Sequence, residues 1–208
     1  MILIGQYDSP FVRRVGIALT LYGLPFEHRP WSIFADADQI RPFNPLTRVP
    51  TLVLDDGAVL IESHLILDHL VSLVPAERRL FPAAEPARHR ALKVAALATG
   101  MADKGVSLFY EKAMHAEVSE AWADRCRGQI LATLAMLEAD RADRRGGYWF
   151  GATIGHADIA VAVALRFLND VHPDLMAVAA IPALRAHAAR LESLPVFQRI
   201  SQPFVPPA

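Results

Sequence analysis

The sequence predicts two domains, an α/β domain followed by an all-helical one. Strand-length apolar runs alternate with amphipathic helical stretches over residues 1–76. A proline-rich stretch follows, and we interpret residues 77–85 as a linker. From residue 86 to residue 208 the strand signals disappear and helical periodicity dominates. We therefore expect an α/β domain over residues 1–76 and a helical domain over residues 86–208.

Composition excludes several classes of protein. The 208-residue chain is 53% hydrophobic, which is enough for a continuous core and excludes intrinsic disorder. Its formal net charge of -1 argues against nucleic-acid binding, which usually requires a basic excess. No apolar run approaches the roughly 20 residues of a membrane span, and the first residues do not resemble a signal peptide. Because the single cysteine cannot form an internal disulfide, we expect a cytoplasmic protein.

The first domain begins with a strand, a helix and a second strand. Met1–Tyr7 is an apolar run of strand length. From Pro10, apolar residues recur at three- and four-residue steps, which predicts an amphipathic helix with proline in its first turn. Arg13 and Arg14 are expected to face away from the core. Phe26–Trp31 is the second predicted strand.

A hairpin and a further helix complete this domain. Residues 34–43 are irregular or form a short helix, and then Thr51–Leu54 and Ala58–Ile61 are strands joined by an Asp-Asp-Gly turn. A helix is predicted from Ser63 onward. Its expected buried stripe consists of Leu65, Ile66, His69, Leu70 and Leu73. The predicted order is β-α-β-(α)-β-β-α.

The second domain is predicted to contain four long helical segments, at residues 87–116, 119–141, 157–171 and 182–191. Asp158 lies three residues after Gly155, so its carboxylate can accept a hydrogen bond from the backbone at that helix start. Ile154 and Ile159 occupy the two positions of a hydrophobic staple. The apolar run that follows predicts a helix buried on all sides, at the centre of the second domain.

Four motifs in register resemble those of the glutathione S-transferase family. They are Tyr7–Val15, Asn44–Leu52, Ile61–Ser63 and Ala157–Ile159. The resemblance implies a thioredoxin-like first domain, a helical-bundle second domain and a homodimer. It also implies that glutathione is a co-substrate, with no tightly bound cofactor and no metal. The chain departs from the family pattern at Gly155, where a serine or threonine cap is usual; glycine is acceptable there.

Ser9 precedes the first helix, where a hydroxyl and the first free amides point toward one place and the helix dipole favours an anion. Position alone favours a plain helix cap. The resemblance implies instead that Ser9 activates the glutathione thiol, because hydrogen bonds to a thiolate lower the pKa of the thiol. Serine cannot form the mixed disulfide that cysteine forms here in related thioredoxin-fold proteins. Tyr7 is a competing donor, although we expect it to pack at the strand end.

The resemblance assigns the rest of glutathione to two further motifs. Val49-Pro50 resembles a cis-proline turn that leaves the Val49 backbone free to pair with the cysteinyl part; otherwise the proline simply begins a strand. Glu62 can pair with the ammonium of the γ-glutamyl end, and Ser63 can bind its carboxylate at a helix start. Without the resemblance, Ser63 would be a plain helix cap. Arg48 is either a ligand of the glycine carboxylate or a solvated surface residue.

Phe11, in the first motif, is also expected to bind glutathione. Asp103 resembles the family position that reaches the glutathione of the partner subunit, although a solvated aspartate is equally compatible with its place on a helix. The expected pocket for a small hydrophobic electrophile is formed by Tyr7, Met101, Val106 and Tyr110. At helical spacing, such residues are otherwise core residues.

We expect a glutathione transferase that conjugates the thiolate of reduced glutathione to small electrophiles. Two alternatives remain open. One is another glutathione-dependent activity at the same site, such as that of a peroxidase, dehalogenase or isomerase. The other is a non-catalytic interaction protein with the same fold. The eight histidines are scattered without the spacing of metal ligands, so no metal is expected.

Overall fold

A computed structural model describes residues 1–206 as two compact units. The first unit comprises Met1–Leu80 together with the chain from Leu194 onward, and the second comprises Phe81–Ser193. The segment from Leu194 onward, predicted as part of the helical domain, groups in the structure with the α/β unit. Pro207 and Ala208, the last positions of that predicted domain, lie outside the described residues.

The first unit contains a four-stranded mixed sheet. Its strands are β1 (Ile2–Ile4), β2 (Glu27–Arg29), β3 (Thr51–Val53) and β4 (Val59–Ile61), in the order β2-β1-β3-β4. β1 pairs in parallel with β2 and antiparallel with β3, and β3 pairs antiparallel with β4. This arrangement is thioredoxin-like, and the predicted order of strands and helices is confirmed.

Nine helices are found in residues 1–206. They are α1 (Pro10–Tyr22), α2 (Ala37–Ile40), α3 (Ser63–Ser72), α4 (Ala87–Met114), α5 (Glu120–Ala142), α6 (His156–Val171), α7 (Pro173–Val178), α8 (Pro182–Glu192) and α9 (Pro195–Arg199). Among the same residues, a 3-10 turn, Ala76–Arg78, overlaps the start of the predicted linker at residues 77–85. Within these residues, no helix is both long and apolar enough to cross a membrane.

Local signals determine where α1 begins and ends. Pro10 occupies the first turn, where its missing N–H costs no hydrogen bond. At the other end Gly23 adopts φ 67°, a left-handed conformation that glycine reaches without steric cost. The Gly23 N–H donates to the Thr20 carbonyl at 3.1 Å, and the Leu24 N–H to the Leu19 carbonyl at 3.0 Å. These bonds close the helix and turn the chain toward β2.

In α1 and in α3, the side chains that are buried differ from those predicted. Arg13 and Arg14, expected to face outward, are only 3% and 1% exposed. The reason is that α1 is enclosed on more than its sheet side, since α3 and the segment after α8 also pack against it. In α3 the predicted stripe was also partly wrong, because Leu65 is 62% and Leu73 47% exposed. The buried side of α3 consists of Ser63, Ile66, Leu67 and Leu70.

The second unit is organised around α6, which is buried on nearly all sides as predicted. Asp158 Oδ2 accepts a hydrogen bond from the Gly155 N–H at 2.8 Å, so the predicted cap is confirmed. The other oxygen, Oδ1, accepts from the Trp149 N–H at 2.8 Å and lies 3.1 Å from His187 Nε2. The carboxylate therefore joins the start of α6 to the preceding loop and to α8.

Candidate functional site

Ser9 ends the loop between β1 and α1 and is the cap of α1. Its hydroxyl lies 3.4 Å from the Val12 N–H, which is long for an N–H···O hydrogen bond. The cap is therefore weak, and the hydroxyl keeps the capacity to donate to another group. The first amides of α1 and the positive end of the helix dipole also face this place, although Pro10 contributes no N–H. Phe11, the second residue of the helix, is half-buried beside it.

Tyr7 is held in packing contacts in the same loop. Its ring stacks on His28 with a centroid distance of 3.8 Å and an interplanar angle of 11°. The His28 Nε2 in turn lies 2.8 Å from the Gly5 carbonyl. Burial raises the pKa of Tyr7 to about 12, so the phenol is neutral at physiological pH. These contacts match the packing role expected for Tyr7.

The Val49–Pro50 peptide bond is cis, as the resemblance implied. The Val49 side chain lies against Gly5, where an added Cβ would come within 2.7 Å of Val49 Cβ. Gly5 also adopts φ 126°, which other residues rarely do. This close approach brings the proline turn next to the loop that carries Ser9. Among residues 1–206, neither the Val49 N–H nor its C=O has a hydrogen-bond partner.

Hydrogen bonds from the buried side chains of Asn44 and Thr51 stabilise the turn before the cis bond. The buried Asn44 donates through Nδ2 to the Arg48 carbonyl at 2.9 Å, and Thr51 Oγ1 donates to the same carbonyl at 3.1 Å. Asn44 also accepts a hydrogen bond from the Leu46 N–H. The backbone at Arg48 is therefore fixed, while its side chain extends to the surface and lies 3.3 Å from Glu62 Oε1. Such an exposed pair contributes only about 0–1 kcal/mol and is readily exchanged for another partner.

Glu62 and Ser63 form the start of α3. Glu62 has φ 67° and ψ 120°, a conformation that costs an L residue about 1–3 kcal/mol and tends to occur at functional sites. Ser63, the first helical residue, is buried. Because Glu62 directly precedes the first helical residue, its exposed carboxylate lies at the same end of α3 as the first amides of that helix.

Arg14 places a positive charge behind Ser63. Its Nη1 lies 3.4 Å from Ser63 Oγ, and its buried Nε has no hydrogen-bond partner. Burial lowers the pKa of Arg14 to about 10, so the guanidinium is still charged at neutral pH. Within the described chain, no carboxylate pairs with it. A buried, unneutralised cation beside a helix N-terminus strongly favours an anion at that place. Arg14 was not among the predicted site residues, because helical periodicity predicted that its side chain faces away from the core.

The residues expected in the helical unit lie on α4. Asp103 is half-exposed, and its carboxylate lies 3.2 Å from the Lys104 ammonium. Val106 and Tyr110 are also half-exposed. Met101 is only 2% exposed and belongs to the helical core, which differs from the expectation that it lines an open pocket. No group of three potential metal ligands occurs among residues 1–206.

Comparisons with known proteins agree with this architecture. A family model described as glutathione S-transferase, N-terminal domain, matches residues 3–78, and one described as glutathione S-transferase, C-terminal domain, matches residues 120–190. An uncharacterized GST-like protein, YibF, of Escherichia coli (strain K12) is 34% identical over 81% of this chain and 82% of its own. The maleylacetoacetate isomerase of Pseudomonas aeruginosa is 29% identical over 95% of this chain and 97% of its own.

A solved structure extends the likeness to the whole fold. A glutathione S-transferase from Methylobacterium radiotolerans, in complex with glutathione sulfonate, matches with a TM-score of 0.89 and 30% identity. The match covers 99% of this chain and 97% of that one. The chain therefore belongs to the glutathione S-transferase family. Its thioredoxin-like unit and helical unit have the fold that the sequence predicted.

Proposed function

We propose that the protein is a glutathione transferase that joins the thiolate of reduced glutathione to small hydrophobic electrophiles. The observation that carries this proposal is the unneutralised Arg14 guanidinium behind Ser63, in the same unit as Ser9. The γ-glutamyl end of glutathione has a carboxylate and an ammonium on one carbon. Ser63, with the first amides of α3, suits the carboxylate, and Glu62 beside it suits the ammonium.

The rest of the tripeptide has partners along the same edge. The unpaired N–H and C=O of Val49 can pair with the cysteinyl amide and carbonyl, as an added strand would. Pro50 follows in the same turn, and Phe11 offers an apolar contact at the start of α1. Arg48 can leave its surface pair with Glu62 and bind the glycine carboxylate. The single exposed Arg48–Glu62 ion pair is then replaced by two charge-assisted contacts, one at each end of glutathione.

The chemistry follows from the groups around Ser9. A free thiol with a pKa near 8.5 is mostly protonated at neutral pH. The Ser9 hydroxyl and the first amides of α1 donate to the sulfur, which stabilises the thiolate while the proton leaves to solvent. The thiolate then attacks an electrophilic carbon and forms a carbon–sulfur bond. In a displacement the leaving group departs with its electron pair; in an addition the resulting carbanion takes up a proton.

The assembly and the second substrate are part of the same proposal. We expect a homodimer, with Asp103 directed toward the glutathione of the partner subunit. Val106 and Tyr110, half-exposed on α4, are our candidates for contacts with the electrophile. We also expect a cytoplasmic location, because the only cysteine is the buried Cys126.

A second candidate function is glutathione-dependent isomerisation at the same site. It is favoured by the likeness to the Pseudomonas aeruginosa maleylacetoacetate isomerase. In such a reaction the thiolate adds to a conjugated double bond, a rotation follows, and elimination restores glutathione. The two functions differ in whether glutathione is consumed, so a product analysis distinguishes them.

The test is calorimetric titration of the purified protein with reduced glutathione, beside the Ser63→Ala variant. Loss of a hydrogen bond to a charged group costs about 1.5–3 kcal/mol, so we expect the affinity of the variant to fall by about tenfold or more. Ser72→Ala is the matched control, because Ser72 lies at the other end of α3 and its hydroxyl donates only to the His69 carbonyl. Lack of wild-type binding at millimolar glutathione would overturn the proposal.

A further inference from the structure

The segment that follows α9 lies against the loop that carries Ser9. We call residues 200–206 the strap. The Tyr7 N–H donates to the Gln202 Oε1 at 2.9 Å. The Val205 N–H donates to the Asp8 carboxylate at 3.1 Å. Both residues that immediately precede Ser9 therefore form a hydrogen bond with the strap, although almost the whole chain separates them in sequence.

The beginning of the strap is fixed to α1. The buried Arg13 donates through Nε to the Ile200 carbonyl at 2.8 Å and through Nη2 to the Phe197 carbonyl at 3.0 Å. Its guanidinium also lies over the Phe197 ring, 5.6 Å from the centroid. Because a guanidinium holds its donors in a rigid plane, these bonds define where the strap leaves α9.

Gly16 lets the strap and the Tyr7 ring meet on the surface of α1. A Cβ at Gly16 would lie 2.8 Å from Tyr7 Cε1 and 3.0 Å from Ile200 Cγ2. Both distances are shorter than an ordinary van der Waals contact between carbon atoms. The absence of a side chain at this position thus allows Tyr7 and Ile200 to pack side by side on the helix.

The strap adds to the contacts that the Ser9 loop makes with β2 and α1. Within the loop, the Ser9 N–H donates to the Gln6 carbonyl at a long 3.2 Å. At the start of the loop, the Gly5 N–H donates to the backbone carbonyl of Arg29 in β2 at 2.9 Å. Between these two bonds, the strap binds the Tyr7 N–H and the Asp8 carboxylate, in addition to the stacking of the Tyr7 ring on His28. The backbone that leads into Ser9 therefore takes two of its hydrogen bonds from the strap, at Gln202 and Val205.

We propose that the strap positions Ser9 for thiolate stabilisation, with Gln202 as a positioning residue that holds the Tyr7 backbone. The inference rests on the proposed function, because it concerns how well Ser9 serves the bound thiol. The Gln202 contact is separate from Val49 and Ser63, which hold the peptide. Loss of the contact should therefore lower the rate of the chemical step while leaving the affinity for glutathione nearly unchanged.

The experiment compares wild-type protein with Gln202→Ala, which removes the acceptor, and with Gln202→Glu, which keeps an oxygen in its place. A displacement of about 1 Å at a reacting group can cost about 100-fold in rate. We expect Gln202→Ala to lower kcat by about 10- to 100-fold, with KM for glutathione within about threefold of wild type. The pH at which enzyme-bound glutathione ionises, followed by thiolate absorbance, should rise. Gln202→Glu should restore most of both.

Two further measurements separate positioning from general loss of structure. Exchange of the Tyr7 amide proton should become faster in Gln202→Ala, while amides in the core of α6 remain as protected as in wild type. Val205→Pro, which removes the N–H that the strap donates to Asp8, should shift kcat and thiol ionisation in the same direction. Gln129→Ala is the control, because Gln129 is an exposed glutamine of α5, and it should leave every measurement unchanged.

The outcomes are distinct. Wild-type protein that fails to bind glutathione overturns the proposed function and, with it, this inference. Wild-type binding together with unchanged kcat and thiol ionisation in both Gln202→Ala and Val205→Pro overturns the inference alone. A Gln202→Glu variant as impaired as Gln202→Ala also overturns it, because an acceptor at that position would then not matter.

Discussion

The Arg14 guanidinium lies 3.4 Å from the Ser63 hydroxyl and has no carboxylate partner within the described chain. Taking an ion out of water costs several kcal/mol unless another charge compensates for it. The fold thus contains a buried cation at the helix start where the proposed ligand brings a carboxylate. Burial of Arg14 is a cost to the unliganded protein, and an anion that binds at Ser63 offsets it.

We predict that Arg14→Met weakens glutathione binding without lowering stability. Methionine fills a similar volume and removes an uncompensated buried charge, which is often neutral or stabilising. The dissociation constant measured by calorimetry should rise by about tenfold, while the midpoint of thermal unfolding stays the same or rises. Arg88→Met, at an exposed pair on α4, should leave the dissociation constant unchanged. Equal binding by Arg14→Met and wild type would show that the cation does not serve the ligand.

Two variants that each remove one hydroxyl test whether Ser9 or Tyr7 activates the thiol. Removal of one donor to a developing anion typically lowers kcat by about 100- to 1000-fold, and we expect this range for Ser9→Ala. Tyr7→Phe should keep kcat within about threefold, since the Tyr7 phenol is held by packing and has a pKa raised by burial. Steady-state kinetics with a chromogenic electrophile provide the measurement. A larger loss in Tyr7→Phe than in Ser9→Ala would assign activation of the thiol to the tyrosine.

Two glycine-to-alanine substitutions should change stability in opposite directions. At Gly16 the new Cβ would meet Tyr7 and Ile200 at 2.8 and 3.0 Å, and such overpacking typically costs about 1–3 kcal/mol. At Gly128, inside α5, nothing lies within 4 Å of the new Cβ, so the higher helix propensity of alanine should add about 0.5–1 kcal/mol. Urea unfolding measures both free energies. Gly16→Ala as stable as wild type would contradict the close packing on α1.

His172 should make stability depend on pH. Burial lowers the pKa of His172, an effect partly opposed by its contact with the Gly105 carbonyl at 2.8 Å. Because the folded pKa lies below the unfolded value of about 6.5, the unfolded chain takes up the proton first. The contribution of His172 is therefore complete above about pH 6.5 and is lost as the pH falls through the folded pKa.

The corresponding experiment compares the free energy of unfolding of wild type and His172→Gln at several pH values between about 7 and 5. Glutamine can donate to the Gly105 carbonyl without titrating, so the variant should lose less stability than wild type as the pH falls. His89→Gln is the control, because His89 is exposed on α4. Identical slopes for wild type and His172→Gln would rule out this histidine as a source of the pH dependence.

Much of the fold could be predicted because its signals are local. Gly23 ends α1 through its own backbone conformation, and Asp158 caps α6 across three residues. The helix starts at Ser9 and Ser63 were likewise predicted from their neighbours in sequence. Each of these features depends on residues within one or two turns, so a short window of sequence contains the information.

The predictions that were wrong concern contacts between distant segments. Helical periodicity assumes one apolar side for α1, yet α3 and the strap also cover it, and the buried Arg13 and Arg14 result. In α3 the periodicity could not distinguish the buried Leu67 from the exposed Leu65, because both are leucines in an apolar run. Gln202 carries no sequence signal at all, since its partner lies 195 positions away.

The division of the first unit into two stretches has a consequence for how the chain acquires its structure. The 113 residues of Phe81–Ser193 are synthesised between α1 and the strap, so α1 waits for its last neighbours until the helical unit has been made. Long-range contacts of this kind slow folding. A fragment that ends at Leu80 would lack the Ile200 and Phe197 carbonyls that accept from Arg13 and the Gln202 oxygen that accepts from the Tyr7 N–H. We expect such a fragment to be less ordered around Ser9 than the same residues in the full chain. Fusion proteins that contain only residues 1–80 should show the same loss of order around Ser9.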